Sequence, residues 1–244
     1  MSIYKELNHT IYNNITPYTN CDVIKYIDNS YPHTNVTPAL LDSLFTEYLP
    51  ESVLEIGSMV GGSCIRIIES LNRCGLHSSS VVCIDPFTGD TNMWDLESKS
   101  EGYKFLQFEN GIPTIYKRFL ANTYEYRNKI VPINCTSLTG IKLLARMRYH
   151  NRISSLPSII FLDSAHYKNE TYNEIIDCYE QLMRPNMVLF GDDWYWDDVR
   201  HDVIRAAKQF ELNIKMRNKI ENKLFGSIVI DNVLVYDNQW MLFT

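Results

Sequence analysis

The sequence has no apolar run near the roughly 20 residues a membrane-spanning helix needs. That excludes an integral helical membrane protein. It also has no excess of positive charge. Lys and Arg number 23 against 29 Asp and Glu, a formal net charge of −6, so the basic footprint of a non-specific nucleic-acid binder is missing. The six cysteines, at 21, 64, 74, 83, 135 and 178, include no C-x-x-C pair, which removes the main support for a zinc or thioredoxin-type site. The opening residues, Met1 to Asn8, contain neither a basic n-region nor an apolar h-region. The expected location is therefore cytoplasmic, with the cysteines as buried reduced thiols. In that compartment Asn-x-Ser/Thr triplets such as Asn35-Val36-Thr37 carry no meaning.

What is present is ordinary for a globular protein: 45 % hydrophobic and 21 % charged residues in 244 positions. At about 150 residues per domain the length suggests one large domain. Residues 1–50 are polar and mixed, with Leu40, Leu41, Leu44, Phe45 and Tyr48 at helical spacing before Pro50. Short apolar strands then alternate with helices. Strands are expected at Ser52–Ile56, Val81–Ile84, Ile130–Ile133, Ile159–Leu162 and Met187–Phe190. Helices are expected at Ser63–Cys74, Thr114–Tyr126, Leu138–Tyr149, Glu170–Met183 and Val199–Phe210. Positions 86–112 read as irregular, a lid over the ligand edge carrying Phe87, Trp94, Tyr103, Phe105 and Phe108. Alternating β-branched and aromatic residues at 213–217 and 228–244 suggest antiparallel strands closing the sheet. The pattern predicts an α/β fold with a mostly parallel sheet covered on both faces, residues 1–50 forming a helical extension and 51–244 the main domain.

In such a sheet ligands bind beyond the carboxyl ends of the strands. Strand one ends in Glu55-Ile56-Gly57-Ser58-Met59-Val60-Gly61-Gly62-Ser63. A dinucleotide fingerprint would have glycine where Met59 stands, to make room for a pyrophosphate. A nucleoside ligand without phosphates, such as S-adenosylmethionine, does not need it, and Glu55 suits a cationic ligand. Strand two ends in Asp85, at the separation where a carboxylate meets ribose hydroxyls. After strand three, Thr136 and Ser137 either hydrogen-bond an adenine edge or cap the next helix.

Strands four and five end in Asp163 and in Asp192-Asp193. Adjacent strand ends lie about 5 Å apart, so these carboxylates crowd one rim and repel unless a cation joins them. Either they cap helices and turns, or they hold a hard ion such as Mg²⁺. His166, three residues past Asp163, is a candidate general base; His9, His33, His77, His150 and His201 have no comparable setting. Trp194, Tyr195 and Trp196 are expected to border the same rim.

The stretch Val53–Ser63 resembles motif I of class I S-adenosylmethionine-dependent methyltransferases. Ile84-Asp85-Pro86-Phe87-Thr88-Gly89-Asp90, Phe161–Tyr167 and Phe190–Trp194 resemble the macrocin and mycinamicin sugar O-methyltransferases and the related cephalosporin hydroxylase-like group. The carboxylate spacing is also similar to that of catechol O-methyltransferase, which has asparagine at the place of Asp193. The resemblance spans about residues 50–210. It implies a Rossmann-like methyltransferase domain and an Mg²⁺-dependent O-methyltransferase acting on a sugar or glycan hydroxyl. It implies S-adenosylmethionine against Glu55, Gly57, Ser58, Gly61, Ser63, Asp85, Phe87, Thr136 and Ser137, with Mg²⁺ on Asp163, Asp192 and Asp193, and His166 with Asp163 as the catalytic pair. The expected partner is a small-molecule or glycan acceptor, with no nucleic acid and no membrane; a homo-oligomer stays open. The rivals are a phenol or catechol methyltransferase, a retired methyltransferase-fold interaction module and, more distantly, an NAD-dependent oxidoreductase.

Overall fold

A strand buried on both faces is mostly apolar, and the sequence supplies five of them in parallel. The computed structural model describes residues 2–28, 34–94, 100–164 and 166–244; His33, Ala165 and positions 95–99 of the expected lid lie outside these. Its strands are β1 (Ser52–Ile56), β2 (Ser80–Asp85), β3 (Phe108–Glu109), β4 (Ile112–Pro113) and β5 (Ile130–Asn134). They continue with β6 (Ile159–Leu162), β7 (Val188–Gly191), β8 (Ile228–Ile230), β9 (Val233–Tyr236) and β10 (Gln239–Phe243). The helices are α1 (Ile3–Tyr12), α2 (Val23–Tyr26), α3 (Pro38–Tyr48), α4 (Gly62–Arg73) and α5 (Glu101–Leu106). After these come α6 (Ile115–Asn122), α7 (Ser137–Tyr149), α8 (Glu170–Gln181), α9 (Asp197–Ala207) and α10 (Ile214–Glu221).

The large sheet has the order β5-β2-β1-β6-β7-β10-β9-β8. The first five strands are parallel, and the C-terminal three run antiparallel, with β10 inserted beside β7. This is the mostly parallel, Rossmann-like architecture the sequence predicts. Alternate strand residues enter opposite cores. Leu54 and Ile56 join α1, α7, α8 and α9 on one face; Val53 joins α3, α4, α6 and α10 on the other. Residues 2–50 are part of these same cores. Ile3 and Leu7 of α1 pack on one face, and Leu40, Leu41, Leu44 and Phe45 of α3 on the other. All six cysteines are free thiols. Among the described residues no helix is long and apolar enough to cross a membrane.

Three expectations need correction. Positions 213–217 open α10 instead of forming a strand, because the Asn213 side chain accepts the Met216 N–H at 3.2 Å and Ile220 is drawn into the core. Positions 86–112 are not irregular throughout. A 3-10 turn at Thr91–Trp94, α5 capped by Ser100, and the two-residue pairing of β3 with β4 lie within them. Trp194 does not border the rim. It is buried in the core, its N–H held by the Asn238 carbonyl at 2.9 Å.

A buried ion pair ties the N-terminal segment to this region. Arg118 of α6 meets Asp28, both side chains nearly inaccessible. The Arg118 guanidinium also donates to the Phe105 carbonyl at 2.6 Å and lies over the Phe105 ring. Removing one partner leaves the other charged and buried, so Arg118→Leu should cost about 3–5 kcal/mol. The double variant Arg118→Leu/Asp28→Leu should recover part of that loss. Urea denaturation of the three proteins checks this, and a single variant as stable as the parent would refute it.

Candidate active site

The strand order reverses between β2-β1 and β6, and the crevice expected at such a switch point is there. It is a cleft of about 630 Å³, lined among others by Gly57, Ser58, Met59, Ser63, Asp85, Asp90, Asp163 and His166.

The turn after β1 is built for close approach. Gly57 has φ +89°, and a Cβ there would lie 2.1 Å from the Asp163 carbonyl oxygen, so only glycine lets the β1 and β6 ends touch. Met59 takes φ +46° and Phe87 φ +54°, conformations that favour glycine. Asp85 holds both. One carboxylate oxygen accepts the Met59 N–H at 2.8 Å, and the other accepts the Phe87 N–H. Burial raises the Asp85 pKa, while the Met59, Phe87 and Ser58 amides oppose the rise. A carboxylate has about four acceptor positions, so Asp85 retains capacity toward the cleft.

Not every expected cofactor residue reaches this wall. Gly57, Ser58, Ser63 and Asp85 line it. Glu55 is wholly buried beneath the turn, accepting the Ser58 hydroxyl at 2.7 Å. Gly61, at φ +95°, lets α4 start close against Thr123. Phe87 packs into Tyr116 and Phe119. Thr136 accepts the Thr139 N–H as the α7 N-cap, and Ser137 is the first residue of that helix. None of these five is part of the cleft lining.

The carboxylates gather as the sheet register demands, since Leu162 pairs with Gly191 and the next residues are Asp163 and Asp192. Ligand atoms of Asp163, His166 and Asp193 lie within 4.8 Å of one another. Asp192 is beside them, and one of its carboxylate oxygens accepts the Asn238 amide at 2.9 Å and the Gln239 amide at 3.2 Å. A small space of about 10 Å³ lies among Asp163, His166, Glu174, Asp192 and Asp193. That is about the space one water requires. Burial, then Asp192 and Asp193, push the Asp163 carboxyl well above its usual range. Burial also raises Asp192. Three crowded carboxylates supply the oxygen donors that fit a divalent cation.

His166 lies between two carboxylates. Its Nδ1 is 2.8 Å from Asp90 and its Nε2 2.9 Å from Asp193. Burial favours the neutral ring, but the hydrogen bonds to Asp193 and Asp90 outweigh it and raise the pKa to about 9. Trp196 meets the ring edge-on at 4.7 Å. Beyond it opens a second pocket of about 400 Å³, lined by His166, Asn92, Tyr167, Tyr195, Trp196 and two aspartates. Tyr195, Trp196 and Tyr167 are 68, 48 and 45 % exposed.

Asp90, Glu174, Asn238 and Gln239 were not among the residues singled out for the site from sequence. Only Asp90 had a signal, its place in the strand-two motif. The others arrive through long-range packing.

A family model for a methyltransferase domain matches residues 54–194, the span that carries the carboxyl ends of β1, β2, β5, β6 and β7. The chain belongs to the methyltransferase-domain family. No curated protein sequence matches it significantly. Among solved structures, the O-methyltransferase TomG of Streptomyces achromogenes, involved in tomaymycin synthesis and solved with SAM, is 13 % identical. The alignment covers 100 % of this chain and 89 % of that one, with a TM-score of 0.49. An O-methyltransferase of Bacillus cereus in complex with SAH is 14 % identical over 100 % and 91 % of the two chains, at TM-score 0.43. The SAH-bound methyltransferase PaMTH1 of Podospora anserina is 12 % identical over 99 % and 87 %, at 0.45. Likenesses of that order say nothing about substrate.

Burial of Glu55 generates a pH effect. Its carboxyl is pushed up to about 7 from 4.5 by burial, against hydrogen bonds from Ser63, Ser58 and Cys83. Between those values the folded chain keeps a proton that the unfolded chain has released, so stability falls as pH rises from about 4.5 through 7. At about 1.4 kcal/mol per pH unit the loss is on the order of 3 kcal/mol. Glu55→Gln should flatten this part of the curve. Denaturation of both proteins at acid and mildly alkaline pH measures it, and equal slopes would remove Glu55 as the cause.

Proposed function

We propose that the chain is an S-adenosylmethionine-dependent O-methyltransferase that uses Mg²⁺ and methylates a hydroxyl of a sugar or glycan. The observation that carries this reading is the position of His166. It stands between a nucleoside-sized cleft on one side and an aromatic-lined pocket on the other, against crowded carboxylates. Gly57, Ser58, Ser63 and Asp85 would hold the cofactor, and Asp163, Asp192 and Asp193 the metal. When bound, the cofactor would supply a sulfonium methyl group, and the metal would lower the pKa of the acceptor hydroxyl.

The residues of the chain have three tasks. Asp85 fixes the turn against which the nucleoside lies. Tyr167, Tyr195 and Trp196 offer flat faces to the C–H side of a sugar ring. His166, once it has lost a proton, takes the hydroxyl proton as the new O–C bond forms and the C–S bond breaks. The sulfur leaves as a neutral thioether. Holding the oxygen in line with the methyl group is itself worth several kcal/mol. The same aromatic faces suit a flat phenol, so catechol methylation is the second reading. An intact set of Asp163, His166, Asp192 and Asp193 argues against a retired enzyme.

A screen of glycosides and catechols with methyl transfer as the readout tests this; transfer only to catechols would replace the sugar reading with the second one. Excess EDTA should abolish transfer and Mg²⁺ restore it, with Asp163→Asn behaving like the chelated enzyme. Full activity in EDTA would refute the metal. His166→Ala should lower the rate by roughly 10²–10⁴ with cofactor affinity nearly unchanged. Normal turnover per folded molecule would end its role as base.

A further inference from the structure

We infer that Asp90 is a positioning residue that fixes the His166 ring by holding its Nδ1–H, leaving Nε2 as the nitrogen that faces the acceptor. This rests on the proposed role of His166 as base.

Two chain segments 76 residues apart meet here, and the contact is built from both ends. On the Asp90 side the carboxylate is not free to turn. One oxygen accepts the Asn92 N–H at 3.1 Å, and the Asp90 carbonyl accepts the Met93 N–H at 3.0 Å. The side chain is thus locked to its own turn, and its other oxygen aims at His166. The residue before it is required to be small. Gly89 has φ +79°, and a Cβ there would lie 2.5 Å from Leu106. On the His166 side, Trp196 closes one edge of the ring.

The two carboxylates on the ring are not equivalent. Among the described residues, no other charged group shares the hydrogen bonds of the Asp90 carboxylate. Asp193 is one of the crowded acids that the metal reading engages, and it is more exposed, at 29 % against 14 % for the Asp90 side chain. Once the Asp193 carboxylate is engaged elsewhere, only Asp90 keeps a hold on the imidazole. An imidazole whose Nδ1–H is held by a carboxylate presents Nε2 as its acceptor. Asp90 also lines the cleft, with Met93, Gly102 and Phe105 on the same wall. The orientation of the base is therefore tied to the placement of that wall.

The first, deciding measurement needs neither acceptor nor methyl donor. In protein labelled with ¹⁵N at histidine, with His166 assigned by its absence in His166→Ala, the Nδ1 proton should give a slowly exchanging, strongly hydrogen-bonded signal. That signal should vanish in Asp90→Ala. It should persist, weakened, in Asp90→Asn, whose single amide oxygen can accept the Nδ1–H only by giving up the Asn92 N–H. Melting temperatures establish that each variant is folded. Methyl transfer to a methyl glycoside and to a catechol should then show a fall in kcat of tenfold or more for Asp90→Ala, little change in KM for the cofactor, and partial rescue in Asp90→Asn. An unchanged Nδ1 signal in folded Asp90→Ala overturns the inference whatever the activity. An altered signal with no transfer to either probe by the parent protein counts against the proposed function and leaves Asp90 as the residue that orients the ring.

Discussion

Parallel strands about 4.8 Å apart leave Asp163 and the Asp192-Asp193 pair no room to separate. The β6–β7 register fixes their proximity before any side chain is considered. Water does not relieve the repulsion, because Asp163 and Asp192 are largely buried, and both are raised in pKa for that reason. What surrounds them answers this crowding. His166 brings a ring that bonds Asp193. Asn238, just before β10, and Gln239, its first residue, bring amide donors to Asp192, and the Trp240 indole donates to the Asp192 carbonyl at 3.0 Å.

The antiparallel tail therefore does more than close the sheet. Inserting β10 next to β7 places polar side chains at the end of the acid pair, where a parallel neighbour would have contributed its opposite end. The close fit has its own requirement. A Cβ on Gly191 would lie 2.3 Å from the Trp240 ring, so the residue before Asp192 must be glycine if Trp240 is to sit there. Asp193 then turns into the left-handed region at φ +61°, which an aspartate tolerates better than most residues. Sheet topology, one glycine and one tryptophan together aim the carboxylates.

The parts legible from sequence were those set by local pattern. The limits of β1 and β6 agree with the apolar runs that announce them, because a strand buried on both faces admits little else. The strand ends follow from the same runs, so Gly57, Asp85, Asp163, Asp192 and Asp193 were found at the right edge. The parts not legible depend on partners far along the chain. Isoleucine and methionine at 214–216 read as strand until Asn213 caps a helix over them. Trp194 looks like its exposed neighbours Tyr195 and Trp196 until Asn238 draws its backbone inward. Asp90 shows only as a polar residue after a glycine until His166, 76 positions later, meets it.

The two sides of the site differ in how they are made. The cofactor side is backbone held by backbone: β1 hydrogen-bonded to β2 and β6, with Asp85 clamping two strained residues. Substitution there disturbs the sheet itself. The aromatic pocket, where the proposed acceptor would lie, is made of exposed side chains on loops, Tyr167, Tyr195 and Trp196, which carry little of the core. Such positions change at small cost to stability. A scaffold divided this way can keep its methyl-transfer chemistry while the accepted hydroxyl varies, so fold alone does not name the acceptor. His166 belongs to both sides, lining the cleft and the aromatic pocket at once. That double membership is why its orientation needs a hold of its own, independent of whatever occupies either side.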